Sequence, residues 1–153
     1  MYFLKPGVKQ DPVRRWNLPD RIFFGHGACH ILAGVFLARS GSAAYWAEWV
    51  TPHKDLEGAH VYVTDGDRAF DYHGFSRREA LLAHHRKKWL TRFPDWDADI
   101  RVVDFDLLST SALNQRRMRG PDQYLHDPIP RAVRFIGRYG VPARNPGRGR
   151  GSA

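Results

Sequence analysis

The sequence predicts a single α+β domain in which a buried helix near the N-terminus packs on an antiparallel sheet. Three observations carry that expectation. The run from Cys29 to about Arg39 is apolar on nearly every face, the mark of a helix with no solvent side. Residues 59–64 and 67–72 alternate and are rich in β-formers on either side of Asp65-Gly66, the pattern of a hairpin. The order of elements is then a helix, about three antiparallel strands, a helix, a strand and a helix, which is α+β.

The elements can be taken in order. The first 20 residues are broken by Pro6, Gly7, Pro12 and Pro19 and are expected to be loop-rich. The helix opening at Cys29 ends at Ser40-Gly41-Ser42. A strand is expected over residues 43–50, with Tyr45, Trp46, Trp49 and Val50, and a polar loop over Pro52 to Gly58. With Asp65 and Gly66 as the two turn residues, Tyr62 faces Ala69 and His60 faces Asp71. A turn one residue later puts His73 opposite His60 and Asp71 opposite Tyr62. Ser76-Arg77-Arg78-Glu79 has the capping-box pattern, predicting a helix from there to about Arg92. Residues 98–105 read as another strand. Asp127-Pro128 is the N-cap and first turn of a last helix, with Ile129, Ala132, Val133 and Ile136 inward and its end near Gly140.

At 153 residues the chain is the size of one domain with a sizeable core. The expected boundaries are residues 1–142 for the domain and 143–153 for a disordered basic tail rich in Gly, Pro and Arg. The lone cysteine, Cys29, has no internal disulfide partner and fits a reducing compartment. No stretch approaches a membrane span, and the first residues lack a basic-then-apolar signal pattern. A cytoplasmic protein without a cofactor is the expectation. The net charge of +8 favours weak, salt-sensitive contact with polyanions.

The residues that point to chemistry are Gly25-His26-Gly27-Ala28-Cys29-His30. Small residues lead straight into the buried helix and place the thiol in its first turn, where the partial positive charge of the helix end favours thiolate. The glycines allow a substrate close to the backbone, so amides there could form an oxyanion hole. A thiol nucleophile needs a base, and a carboxylate across a hairpin from His60 would fix the tautomer of that imidazole.

A cysteine opening a buried helix, followed by an antiparallel sheet with histidine on its second strand and aspartate on its third, resembles the transglutaminase-like branch of the papain-like cysteine enzymes. The resemblance runs from about Gly25 to Gly74 through Gly27-Ala28-Cys29, Ala59-His60-Val61-Tyr62-Val63 and Ala69-Phe70-Asp71. It implies a papain/transglutaminase-like core, with Cys29 as nucleophile, His60 as general base and Asp71 as orienting acid. The implied activity is hydrolysis or acyl transfer on a peptide, amide, thioester or related carbonyl. Cys29 and His60 are followed by His30 and Val61 where the family often has Trp, and Gln10 is too far upstream to act as an oxyanion donor. That role falls to His26, Gly27 or other backbone amides.

Other readings compete for the same residues. Cys29 could be a small buried hydrophobe. His26, Cys29 and His30 could bind a metal, although no His-Glu-x-x-His or paired Cys-x-x-Cys is present. His84-His85, beside Arg86-Lys87-Lys88, reads as the solvated face of a helix. Asn114 to Gly120 and the tail could contact phosphates, which makes a non-catalytic basic module for nucleic acid or another acidic partner the alternative function. A papain-like fold without activity is a third possibility. Arg119 to Tyr124 is a polar loop around an ordinary Gly-Pro-Asp turn.

Overall fold

The computed structural model describes residues 2–140. The tail expected over residues 143–153 lies outside them. Six α-helices and five strands follow one another, with short 3-10 turns at His53–Asp55 and Pro121–Gln123.

The opening segment is more ordered than its prolines suggest. Pro12–Trp16 forms α1, capped by Asp11, whose carboxylate accepts from the amides of Val13 and Arg14 at 3.1 Å each. Asp20–Gly25 forms α2, starting immediately after Pro19. Pro12 occupies a first-turn position, where a missing N–H costs nothing. These two prolines therefore start helices instead of breaking them.

Helix α3, Cys29–Ser40, carries Ile31, Leu32, Ala33, Val35 and Phe36 in the core and stops at Gly41, which adopts a left-handed φ of 60°. Strands β1 (Trp46–Pro52), β2 (His60–Thr64), β3 (Arg68–Asp71), β4 (Gly74–Arg77) and β5 (Ala98–Val102) build one sheet in the order β4-β3-β2-β1-β5. Every pairing is antiparallel. Helix α4, Arg78–Leu90, covers one face of that sheet. Helices α3 and α6 (Pro128–Gly137) cover the other, and α5 (Thr110–Asn114) lies between β5 and α6 in the chain.

The central strand β2 is buried at every position. Val61 and Val63 enter the larger core with Phe36, Phe70 and Phe135. Tyr62 turns the other way into a smaller core with Val50, Leu81, Trp89 and Trp96. Helices on both faces remove the solvent side that its alternating sequence would otherwise need.

The hairpin turn sits one residue later than Asp65-Gly66. Val63 pairs with Phe70 and Thr64 with Ala69, and the amide of Asp65 donates to the carbonyl of Arg68 at 3.2 Å. Among the turn residues only Gly66 has positive φ, 99°. That places glycine at the first central position of a type II′-like turn, with Asp67 second. The Asp65 carboxylate stabilises this arrangement by accepting from the amides of Asp67 and Arg68 at 3.0 and 2.7 Å. The register expected from an Asp65-Gly66 turn, with His60 directly opposite Asp71, is therefore corrected.

The capping box expected at Ser76 does not form either. Residues 74–77 instead make β4, where Ser76 pairs with Ala69 and Phe75 with Phe70. Ladder hydrogen bonds and the packing of Phe75 on Phe36 and Phe70 win over the local cap. Helix α4 begins at Arg78 with no side-chain cap. Its first turn is tied down by Arg78, whose Nε donates to Glu48 at 2.7 Å while the Tyr62 hydroxyl donates to the same carboxylate at 2.6 Å. At the other end of the chain Asp127 does cap α6, accepting from the Ile129 amide at 2.9 Å, with Pro128 beside it.

Asp127→Ala is expected to lower stability by about 1 kcal/mol in urea denaturation. Ser76→Ala should leave it within about 0.5 kcal/mol, because no cap is lost. A larger loss at Ser76 than at Asp127 would contradict the strand assignment.

Candidate active site

The site is built where the N-terminus of α3 meets the start of β2. Helix α2 ends at Gly25, and the turn through Gly27 (φ 121°) delivers Cys29 as the first residue of α3. Gly25 packs closely on Tyr72, where a Cβ would lie 3.2 Å from the ring and the ring would have to give way. Ala28 offers no capping side chain. The amides of the first turn therefore keep their partial positive charge beside the thiol.

Cys29 is only partly buried, and its sulfur accepts a hydrogen bond from the Val61 amide at 3.4 Å. His60 and Asp71 are buried, and His60 Nε2 donates to Asp71 Oδ2 at 3.0 Å. The other Asp71 oxygen accepts from the His73 amide at 2.9 Å. In the observed register these two side chains are diagonal neighbours on one face, a separation that an imidazole spans. With Nε2 committed to Asp71, Nδ1 is the nitrogen left for Cys29. The structure thus brings together Cys29, His60 and Asp71, by a different register from the one the turn sequence suggests.

The electrostatics reinforce the geometry. Burial opposes ionisation of Cys29, but hydrogen bonding with His30 and His60, and the charge on those rings, bring the thiol down to about 5. Burial also opposes a charged His60, yet the hydrogen bond to Asp71 and the interaction with Cys29 raise it to about 9. Asp71 is likewise penalised by burial, and its hydrogen bonds with His60 and His73 hold it well below the usual carboxylate range. Between about pH 5 and pH 9 the favoured state is thiolate, imidazolium and carboxylate in a row.

Of the expected oxyanion groups, His26 is fully engaged. Its Nδ1 meets the Ile22 carbonyl at 3.1 Å, while Nε2 lies 3.2 Å from both the Tyr2 carbonyl and Lys88 Nζ. No N–H remains to offer an oxyanion. Gly27 contributes its carbonyl, which accepts from the Tyr124 hydroxyl at 2.6 Å and so fixes the turn. The Gly27 amide and the first amides of α3 are the donors left at this place. Among the described residues no group of three or more His, Cys, Asp or Glu could hold a metal ion.

Two histidines take parts that sequence reasoning did not give them. His30 is buried, donates from Nε2 to the Arg119 carbonyl at 2.6 Å and interacts with the thiol from the next position of the helix. His85 is not on a solvated face. It is buried and lies nearly parallel to His60, with ring centroids 5.1 Å apart and an interplanar angle of 17°. Its Nε2 donates to the Gly58 carbonyl at 2.6 Å. Burial, and then the charge on His60, push it down to about 3, so it stays neutral. The stripe Leu81, His85, Lys88 and Trp89 has helical spacing, and that periodicity was the available signal. Tyr72 closes the opposite side of His60, edge-on with centroids 5.5 Å apart.

No family model, curated protein or solved structure matches this chain. The functional reading rests on the site itself. No helix among the described residues is long and apolar enough to cross a membrane.

The two buried partners have opposite pH signatures. The contribution of His60, whose pKa is raised, is fully present below its unfolded value of about 6.5 and is lost as pH rises through about 9. The contribution of Asp71, whose pKa is depressed, is present above about pH 4 and is lost as pH falls. Asp71→Asn should therefore destabilise most between about pH 4 and 6.5, by roughly 3 kcal/mol. It should also move the His60 imidazole well below 9 in an NMR titration. A His60 titration unchanged in Asp71→Asn would refute this account.

Proposed function

We propose that the protein is a cysteine-dependent acyl hydrolase or acyltransferase acting on an amide, thioester or related carbonyl. The observation that carries this reading is the chain of contacts from Asp71 Oδ2 to His60 Nε2 and through the imidazole to the Cys29 thiol. It is the arrangement a nucleophile, base and orienting acid require. The kinship with papain-like, transglutaminase-like enzymes belongs to the same proposal. Supporting it are the cysteine at the start of a buried helix, histidine on the second strand and aspartate on the third.

In the proposed reaction the Cys29 thiolate attacks the acyl carbon, forming a C–S bond as the carbonyl π electrons move to oxygen. First-turn amides of α3 stabilise the oxyanion. The His60 imidazolium donates its proton to the leaving group as that bond breaks, giving an acyl-thioester. Water or an amine then attacks the thioester and loses its proton to His60, which releases the acyl product and restores thiolate and imidazolium. Asp71 stays ionised throughout and holds the ring by its hydrogen bond.

p-Nitrophenyl acetate should give a burst of nitrophenolate and an acetylated Cys29 detectable by mass spectrometry. Cys29→Ala should abolish the burst, and His60→Ala should slow acylation by about 10²-fold or more. The pH dependence of iodoacetamide alkylation at Cys29 should have its midpoint near 5 in the wild type and move upward in His60→Ala. A thiol that reacts only after the protein unfolds would identify Cys29 as a core residue and end the catalytic reading.

A further inference from the structure

Strand β5 forms one edge of the sheet and pairs on one side only, with β1. The Val103 amide donates to the Ala47 carbonyl, and the Asp97 carbonyl accepts from the His53 amide, both at 2.9 Å. Between them the Asp99 carbonyl accepts from the Thr51 hydroxyl at 3.1 Å. Odd-numbered residues of this stretch therefore turn their backbone toward β1. By the alternation of an antiparallel ladder, the amides and carbonyls of Ala98, Ile100 and Val102 face outward from the sheet. The Ala98 amide is met by the Asp97 carboxylate at 2.9 Å. Those of Ile100 and Val102 have no partner among the described residues.

An open edge is a template for another strand, and proteins commonly blunt it with proline, lysine or a bulge. Strand β5 has none of these, and its register with β1 runs unbroken from Val102 opposite Glu48 to Ala98 opposite Pro52. It also carries exposed apolar surface, with Ile100 at 38% and Val102 at 63% exposure. Ile100 lies opposite Val50, so both residues continue the sheet face that holds the smaller core. Asp99 and Arg101 take the other face. Arg101 has no ion pair among the described residues, and Asp99 gives one oxygen to His53 at 2.9 Å while the second stays unpaired.

We infer that β5 pairs with β5 of a second copy of this chain, antiparallel about a two-fold axis at Ile100, so that the two sheets become one. Each Ile100 amide then donates to the partner's Ile100 carbonyl, and each Val102 amide to the partner's Ala98 carbonyl. On one face Ile100 packs beside the partner's Ile100, and Val102 beside the partner's Ala98. On the other face Asp99 meets the partner's Arg101, and Arg101 meets the partner's Asp99. Sliding one strand by two residues sets Asp99 against Asp99 or Arg101 against Arg101. Sliding it by one loses the match between outward-facing backbone groups. Charge and backbone thus agree on a single register. A patch that complements itself in this way is what a two-fold interface requires. The dimer is independent of the chemistry at Cys29.

Sedimentation velocity of the full-length chain across the micromolar range tests the pairing. The wild type should shift reversibly from the 17.6 kDa monomer to a species of twice that mass. Arg101→Asp and Asp99→Arg each place like charges in both cross-strand pairs, and each alone should weaken self-association about tenfold or more. Mixed in equal amounts, the two variants regain opposite charges at every pair, and a heterodimer should form about as tightly as the wild type does. Ile100→Pro removes an amide that faces away from β1, so the fold keeps its ladder. This variant should unfold cooperatively yet remain a monomer. A wild-type chain that stays monomeric throughout the range would overturn the inference. So would a dimer that survives both charge reversals, or one that the mixture fails to restore, since association would then use another surface.

Discussion

Two buried groups of opposite charge, His60 and Asp71, are tolerated inside this protein only because they face each other at 3.0 Å. Either one alone would be strongly penalised by burial, and the surroundings are built to prevent that. Asp71 ends β3, where the turn to β4 turns the His73 amide toward its second oxygen. His60 opens β2, between the rings of Tyr72 and neutral His85. The pair thus depends on two hairpin turns and on one face of α4. In return it fixes the tautomer of the ring that faces the thiol. A shift of one residue in the β2–β3 register would send one partner to the opposite face and leave the other uncompensated.

Cys29 is held by the other half of the molecule. Helix α3 can begin at a cysteine, without a capping side chain, because its body is buried between β2 and α6 and needs little help from its ends. That leaves an electropositive helix terminus pointing at the sulfur. The preceding turn is pinned from both flanks, by Tyr124 at the Gly27 carbonyl and by Lys88 and the Tyr2 carbonyl at His26. Sheet and helix therefore position base and nucleophile separately, and the Val61 amide donating to the sulfur is where the two halves meet.

The parts of this arrangement legible in the sequence were those set by short-range patterning. The all-round apolar run from Cys29, the β-rich stretch at His60 and the Asp127-Pro128 cap each appear close to their expected places. The hairpin register was not legible, because Asp65-Gly66 and Gly66-Asp67 are both acceptable turns and only the backbone of Gly66 decides between them. Ser76 illustrates the converse. A sound local capping signal lost to ladder pairing with β3, a long-range interaction that no window of a few residues contains. His85 is different: its basic neighbours suggest a solvated face, yet its spacing from Leu81 and Trp89 puts it on the inward stripe.

Two imidazoles adjoin the thiol, and their second partners distinguish them. His30 is backed by the carbonyl of Arg119, which fixes the ring but carries no net charge. His60 is backed by an ionised carboxylate buried with it. A carboxylate stabilises an imidazolium far more than a neutral carbonyl does, and low polarity around the pair strengthens the effect. In the proposed reaction the ring that must accept, hold and return a proton is therefore His60. His30 has a different place in the structure. Its bond to the Arg119 carbonyl joins the start of α3 to the loop that precedes Pro121–Gln123, so the geometry of the nucleophile is tied to that loop as well as to the sheet.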